Sequence, residues 1–424
     1  MTSSLSPRQV LLPMGLAICL SLFGDLTLFA VLSSQLDAVG LTLGSVGIML
    51  GIHRLIRIPG NPLAGLLFDR RQRRPLFVAG MVLAVVSTAG YGLARGFWPF
   101  LLTRLIWGAA WALLNVGGLT MVLDISTAGN RGRCMGIYNL WVVAGLALGP
   151  MVGGFLVDAI GFQMGILTCA GLTAVGLAVA LFALPETAPW INVAPPEPGQ
   201  PQSQPKVTRR PITGQQIYTL LKSHTGLLPL LALYLIVQFT GDGIVFSTVN
   251  LLLQERFGQM VAFGERTLGV ASASGLILGL RSMTAGVAGS LAGVLSDTPI
   301  GRVSVIAGGL LLAVVGFCSL ALATPLGLIA LGVVLGAAGS GAILATLPAL
   351  VGDLTPKGRE GIVMGAYAGA GDVGSTAGPF LAFALAPVLG LRWIYAFCSL
   401  VFLLGLGLLR PWNQPQRKTS REKS

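Results

Sequence analysis

The sequence predicts an all-α integral membrane protein in which twelve transmembrane helices form two pseudo-symmetric six-helix halves. Composition is the first reason: 424 residues that are 54% hydrophobic and 10% charged, with a mean hydropathy of +0.81, carry more apolar surface than a water-soluble core can hide. Segmentation is the second. Apolar runs of about 20 residues, enough to cross roughly 30 Å of hydrocarbon, recur between short polar loops. The third is repetition: Met135-Gly136-Ile137-Tyr138 with Gly145 and Gly149-Pro150 returns, about 229 residues later, as Met364-Gly365-Ala366-Tyr367 with Gly374 and Gly378-Pro379. Gly65 to Asp69 and Gly293 to Asp297 form a second such pair, and Gly24-Asp25 and Gly241-Asp242 a third.

The elements follow in order. Span one, 11–32, holds Asp25 in an otherwise apolar run, and the single Arg before it suits a permanent helix better than a cleaved signal. Span two, 44–68, keeps the crossing length while carrying His53, Arg54 and Arg57. Spans three, 76–94, and four, 99–123, follow a basic cluster, and the fourth contains Arg104, Trp107, Trp111 and Asn115. Span five, 134–157, repeats Gly145, Gly149 and Gly153 every fourth residue, with Gly154 beside the last; these leave one bare face, and Pro150 removes a backbone donor and favours a kink. Span six, 162–184, closes a first half placed at 1–190. Residues 191–226 turn to Pro, Gln and Ser and read as a cytoplasmic linker without enough apolar surface to fold alone. The second half, 227–411, contains spans 227–253, 265–296, 303–323, 325–351, 362–386 and 392–410, and a disordered cytoplasmic tail is expected over 412–424. Many of the 59 glycines are packing residues, because in lipid they let helix backbones approach where no hydrophobic force draws helices together.

The formal charge of +12 does not imply nucleic-acid binding. Most of the 27 Lys and Arg fall on one side of the spans, from Arg8 and the Arg70 to Arg74 cluster through Arg131, Arg133 and Arg302 to the tail. That asymmetry puts both termini in the cytoplasm. The five cysteines show no metal spacing, and neither a metal nor a cofactor is expected. Because each half has an even number of spans, the repeats keep one orientation, and a central cavity between the halves is expected.

On these residues the chain resembles the major facilitator superfamily, and within it the drug:proton antiporter branch. Gly65-Leu66-Leu67-Phe68-Asp69-Arg70-Arg71-Gln72-Arg73-Arg74 resembles the family's loop between helices two and three, with Gln72 where a Gly is usual. Gly293 to Arg302 is a degenerate second copy. Leu101-Leu102-Thr103-Arg104, followed by Gly108, is similar to the fourth-helix signature, and Gly145 to Gly154 to the antiporter signature of the fifth. The resemblance implies a gate at Gly65, Asp69, Arg70, Arg73, Arg74, Asp297 and Arg302, helix packing at Gly145, Gly149, Pro150, Gly153, Gly154, Gly374, Gly378 and Pro379, and proton movement through Arg104.

Ionisable groups inside a bilayer are expensive and mark function by default. Asp25 lies roughly 21 Å along helix one and Arg54 roughly 22 Å above Asp69, so the two can share a level and pair; Asp242 and Arg281 repeat the arrangement. A carboxylate in such a pair has two states, since desolvation favours the neutral form and a nearby Arg the charged one. Asp25 and Asp242 are therefore the expected proton carriers. The expected substrate cavity draws on His53, Arg54, Arg57, Trp111, Asn115, Tyr138, Arg281 and Asp372.

The function expected is proton-coupled export of small amphipathic compounds by rocker-switch alternating access, in a cell membrane and as a monomer. Its partners are the bilayer, a small-molecule substrate and the proton. A dedicated carrier of a polar metabolite, organic anion or lipid-linked compound is the alternative, because the core bases outnumber the core acids. An enzyme is not expected: the chain has no phosphate-binding loop, nucleophile elbow or zinc pattern, and only two His.

Overall fold

A computed structural model describes residues 6–127, 129–188, 226–263, 266–322, 325–355 and 359–409. The predicted linker, save Gly226, and the predicted tail lie outside the described residues. The long helices are α1 Pro7–Val31, α2 Leu43–Arg70, α3 Arg73–Leu93, α4 Phe97–Ile125, α5 Arg131–Ile160 and α6 Phe162–Ala183. They continue with α7 Leu227–Phe257, α8 Val270–Ser296, α9 Gly301–Leu322, α10 Leu326–Leu354, α11 Glu360–Leu389 and α12 Leu391–Leu408. Among the described residues, 11 helices are long and apolar enough to cross a membrane. The helix outside that set, α2, has 28 residues and matches the others in length; Arg54, Arg57, Asp69 and Arg70 lower its hydropathy. Twelve spans in two repeated halves is the fold the sequence predicts.

Contacts divide the described residues into two units. One takes α1 to α6 with 242–283 and 375–388; the other takes α7 up to Gly241, 284–374 and α12.

In the first unit α1 packs against α5 and α6, α3 against α4 and α6, and α2 against α4. The glycine ladder of α5 lies along α1. A Cβ on Gly145 would stand 2.7 Å from Leu22, and one on Gly153 would fall inside the Thr27 side chain. Thr27 Oγ1 donates to the carbonyl of Phe23 at 2.6 Å and reaches Gly149 O at 3.3 Å, which ties the two helices together. In the second unit α9 packs on α10 and α12, while Gly374 of α11 meets the Leu235 carbonyl of α7.

Two departures from the predicted spans lie around α7 and α8. Helix α7 passes through a π-helical segment, Gln238–Val245, that holds Gly241, Asp242 and Gly243; such insertions leave backbone groups incompletely wound and concentrate at functional positions. Helix α8 begins at Val270 rather than at 265, because Met260–Phe263 and Arg266–Gly269 pair as an antiparallel hairpin. Gly258, at φ 72°, turns the chain out of α7 into it. The repeat spacing changes here, from about 217 residues between Asp25 and Asp242 to about 228 between Asp69 and Asp297, mostly because α7 runs on to Phe257 after Asp242 whereas α1 ends at Val31, soon after Asp25.

Candidate functional site

Arg104 is the centre of the first site. Helix α4 carries it to a point where α1, α2 and α3 converge, and its side chain is fully buried. Nη1 donates to Asp25 Oδ1 of α1 and, at 3.1 Å, to the Tyr91 hydroxyl of α3. Nε donates to the Met49 carbonyl of α2 at 2.5 Å, and Nη2 meets His53 Nδ1 at 2.5 Å. A guanidinium only donates, so Nδ1 is the acceptor, and a neutral ring then carries its proton on Nε2. Asp25, His53 and Tyr91 are 4%, 3% and 0% exposed, so three groups that can exchange a proton share one cation out of contact with water.

This arrangement corrects the expected pairing of Asp25 with Arg54. Depth along a helix sets the level of a side chain but not its direction, and neighbouring residues point about 100° apart. His53 faces the Asp25 site, and Arg54 beside it is half-buried on another face. The repeat spacing agrees: the interval of about 228 residues that relates Asp69 to Asp297 brings Arg281 onto His53, not onto Arg54.

The second pair forms as expected. Arg281 Nη2 donates to Asp242 Oδ1 at 2.7 Å, and the same guanidinium lies 5.0 Å from the centre of the Phe246 ring. The Asp242 side chain is 35% exposed against 6% for Asp25, which makes it the more open of the two acids. Arg54 and Arg57 lie close enough for their charges to act on both His53 and Asp242. Trp111 stacks on Trp107 with centroids 6.1 Å apart, and the buried Tyr138 donates a long hydrogen bond, 3.5 Å, to Asn115. In the other unit Asp372 is buried in α11, and the rings of Tyr234 and Tyr367 stack at 3.8 Å.

The loop between α2 and α3 differs from expectation. Asp69 is exposed and has no ion pair among the described residues. It stands in the last turn of α2, where the helix end carries partial negative charge and repels a carboxylate. The acid that meets Arg73 is Asp124 at the end of α4, 3.1 Å from Nε, and Thr187 donates to the same oxygen. Glu186 accepts the backbone N–H groups of Arg73 and Arg74, which caps the start of α3 from another segment. The second half repeats the pair, for Arg302 bonds Asp353 and lies 3.9 Å from Asp297. Arg73 to Arg302 and Asp124 to Asp353 are both about 229 residues, the interval of the Met135 and Met364 motifs. That interval was the available signal for both acids. Among the described residues, Gly65 and Arg70 make no close contact that fixes a role.

The copies differ in burial, and the difference sets an expected result. Arg73 and Asp124 are 6% and 11% exposed, Arg302 and Asp353 29% and 58%. Breaking a nearly buried pair costs about 3 kcal/mol, whereas an exposed pair is worth at most about 1 kcal/mol. Asp124→Asn is therefore expected to lower the melting temperature of the purified protein by several degrees and Asp353→Asn by little, as thermal unfolding in detergent would measure. Equal shifts would show that burial does not separate the copies.

A third network joins the end of α5 and the start of α8. Asp158 accepts the Ser272 N–H at 2.7 Å and its hydroxyl at 2.5 Å, capping α8 from a different helix. Nearby, Ser33 donates to Asn250 at 2.6 Å, and Asn250 to Ser274 at 3.3 Å. None of these polar residues carries a motif that sequence reasoning could have singled out.

The family model described as Major Facilitator Superfamily matches residues 14–264 and 231–424. The multidrug resistance protein MdtG of Dickeya zeae is 25% identical over 378 residues, covering 89% of this chain and 86% of that protein. Among solved structures, a bacterial homologue of the human lysosomal transporter Spinster superposes with a TM-score of 0.73 at 18% identity, covering 95% and 96% of the two chains. The human organic anion transporter MFSD10 gives 0.66 at 20% identity, covering 95% and 99%. A buried cation network inside repeated membrane helices and a family match that runs nearly end to end agree: the chain belongs to the Major Facilitator Superfamily, as a multi-pass membrane transporter and not an enzyme.

Proposed function

We propose that the protein exports small amphipathic compounds in exchange for protons, by rocker-switch alternating access. The observation that carries this reading is the buried cluster of Asp25, His53 and Tyr91 around Arg104. When Asp25 takes up a proton it loses its hold on Arg104, whose remaining partners are neutral; a change of charge is thereby converted into a change of helix contacts. Asp242 with Arg281 is the second carrier, more open and set in a π segment. The likeness to MdtG, a multidrug resistance protein, supports a multidrug range of substrates, and the resemblance of Gly145 to Gly154 to the antiporter signature supports export as the direction.

In this reading residues 1–190 and 227–411 are the two moving halves and 191–226 a linker. His53, Arg54, Arg57, Trp111, Asn115, Tyr138, Arg281 and Asp372 contact substrate, and Gly65, Asp69, Arg70, Arg73, Arg74, Asp297 and Arg302 form the cytoplasmic gate with Asp124 and Asp353. The protein works as a monomer in the cell membrane, with both termini cytoplasmic. A second reading, a dedicated carrier of an organic anion or other polar compound, draws support from the charge around Asp242: Arg54, Arg57 and Arg281 all act on it.

A thermal-shift panel of lipophilic drugs, polar metabolites and organic anions on detergent-purified protein separates the two, because a ligand of the folded state raises its apparent stability. Stabilisation by many unrelated amphiphiles is expected. Stabilisation by a single polar or anionic class would replace the multidrug reading with the dedicated carrier.

A further inference from the structure

We propose that the membrane end where α1 begins and α6 finishes carries a binding site for an anionic phospholipid. A groove of about 830 Å³ lies there, lined by Arg8, Leu12 and Leu16 of α1, Val179 and Phe182 of α6, and Arg74 of α3. Its character changes along its length. Arg8 and Arg74 stand at the rim, while Leu12 and Leu16 continue down α1 for roughly 12 Å from Arg8. The wall opens outward, where Leu12 is 60% and Phe182 88% exposed, and on a helix of a membrane protein that face meets lipid tails.

Two details fix the charge of the site. Arg74 Nη2 donates to the Leu181 carbonyl, which holds the guanidinium against the last turn of α6. Two nearby acids are engaged elsewhere, for Glu186 accepts the amides of Arg73, Arg74, Thr187 and Ala188 and Asp124 binds Arg73 and Thr187, and the exposed Asp69 does not line the groove. Among the described residues that line the groove none is acidic, and the basic ones are Arg8 and Arg74. Arginine binds phosphate through paired N–H groups, and the apolar channel below takes an acyl chain. An amphiphile with an anionic phosphate head at the interface and a tail in the bilayer satisfies both ends. This assignment is independent of the transported substrate.

The test is native mass spectrometry of the full-length protein after equilibration with equal amounts of phosphatidylglycerol and phosphatidylcholine. The wild type is expected to retain phosphatidylglycerol preferentially. Each basic residue near an anionic head contributes about fivefold, so Arg8→Gln and Arg74→Gln should each lower retention about fivefold and the double variant about 25-fold, with phosphatidylcholine unchanged. Arg8 is exposed, so its variant tests the site without risk to the fold. Equal retention of both lipids by the wild type, or undiminished phosphatidylglycerol on the double variant, would overturn the proposal. Displacement of the lipid by an equal concentration of glycerol 3-phosphate would also overturn it, since the site would then be one for a soluble phosphate.

Discussion

Asp25→Asn is expected to abolish proton-driven accumulation of substrate in proteoliposomes while leaving downhill exchange within about threefold of the wild type. An asparagine keeps an oxygen for the Arg104 guanidinium, so the hydrogen bond survives, but it cannot take up and release a proton. Coupling is lost without removing the contact. The substitution also leaves Arg104 charged and fully buried with no carboxylate, a situation that costs about 3 to 5 kcal/mol. Adding Arg104→Gln removes that charge, and the double variant should recover most of the lost stability while remaining uncoupled. The separation of stability from coupling is what distinguishes a proton carrier from a structural ion pair. Wild-type accumulation by Asp25→Asn, still dependent on the proton gradient, would remove Asp25 from the mechanism.

Much of this architecture can be read from the chain because lipid imposes a length on every crossing helix and leaves few ways to satisfy a backbone. Even α2, whose charges take it below the hydropathy of its neighbours, is recovered from its repeat partner α8. Contacts set by rotation about a helix axis are harder to read. Asp25, Arg54, His53 and Arg104 all stand out in the sequence, yet the partner of Asp25 is Arg104 and not Arg54, because a one-residue step turns a side chain by about 100° and depth does not register it. The repeat interval carries that missing information. It pairs His53 with Arg281 and Asp124 with Asp353, and it lengthens only between the Asp242 and Arg281 levels, where α7 runs further past its acid than α1 does. Asp158 and Ser272 lie beyond such reasoning. Neither has a repeated counterpart of the same type, and their contact depends on how closely α5 and α8 approach.

That approach sets the second large effect, expected for Gly275→Val. A Cβ at Gly275 would stand 2.2 Å from the Pro150 carbonyl oxygen, and one at Gly154 2.3 Å from that of Ala271. Both obstacles are backbone, so no side-chain rotation relieves them. The helices must part, and the Asp158 bonds to Ser272, at 2.7 and 2.5 Å, hold only while they do not. Overpacking of this kind costs roughly 1 to 3 kcal/mol, which shifts a two-state population by about 5- to 150-fold. In an alternating-access cycle the state with these helix ends together would be depopulated. Ser33→Cys, on a background without native cysteines, reports it: Ser33 is 4% exposed in the closed arrangement, and its labelling by a membrane-impermeant maleimide should accelerate at least fivefold when Gly275→Val is added. Transport should fall by about tenfold or more in the same variant. Gly293→Val is the control, because it adds the same side chain to the same helix at a position with nothing within 4 Å of the new Cβ. If Gly293→Val and Gly275→Val accelerate labelling equally, the effect belongs to valine in α8, and the seam between α5 and α8 is not the closing contact.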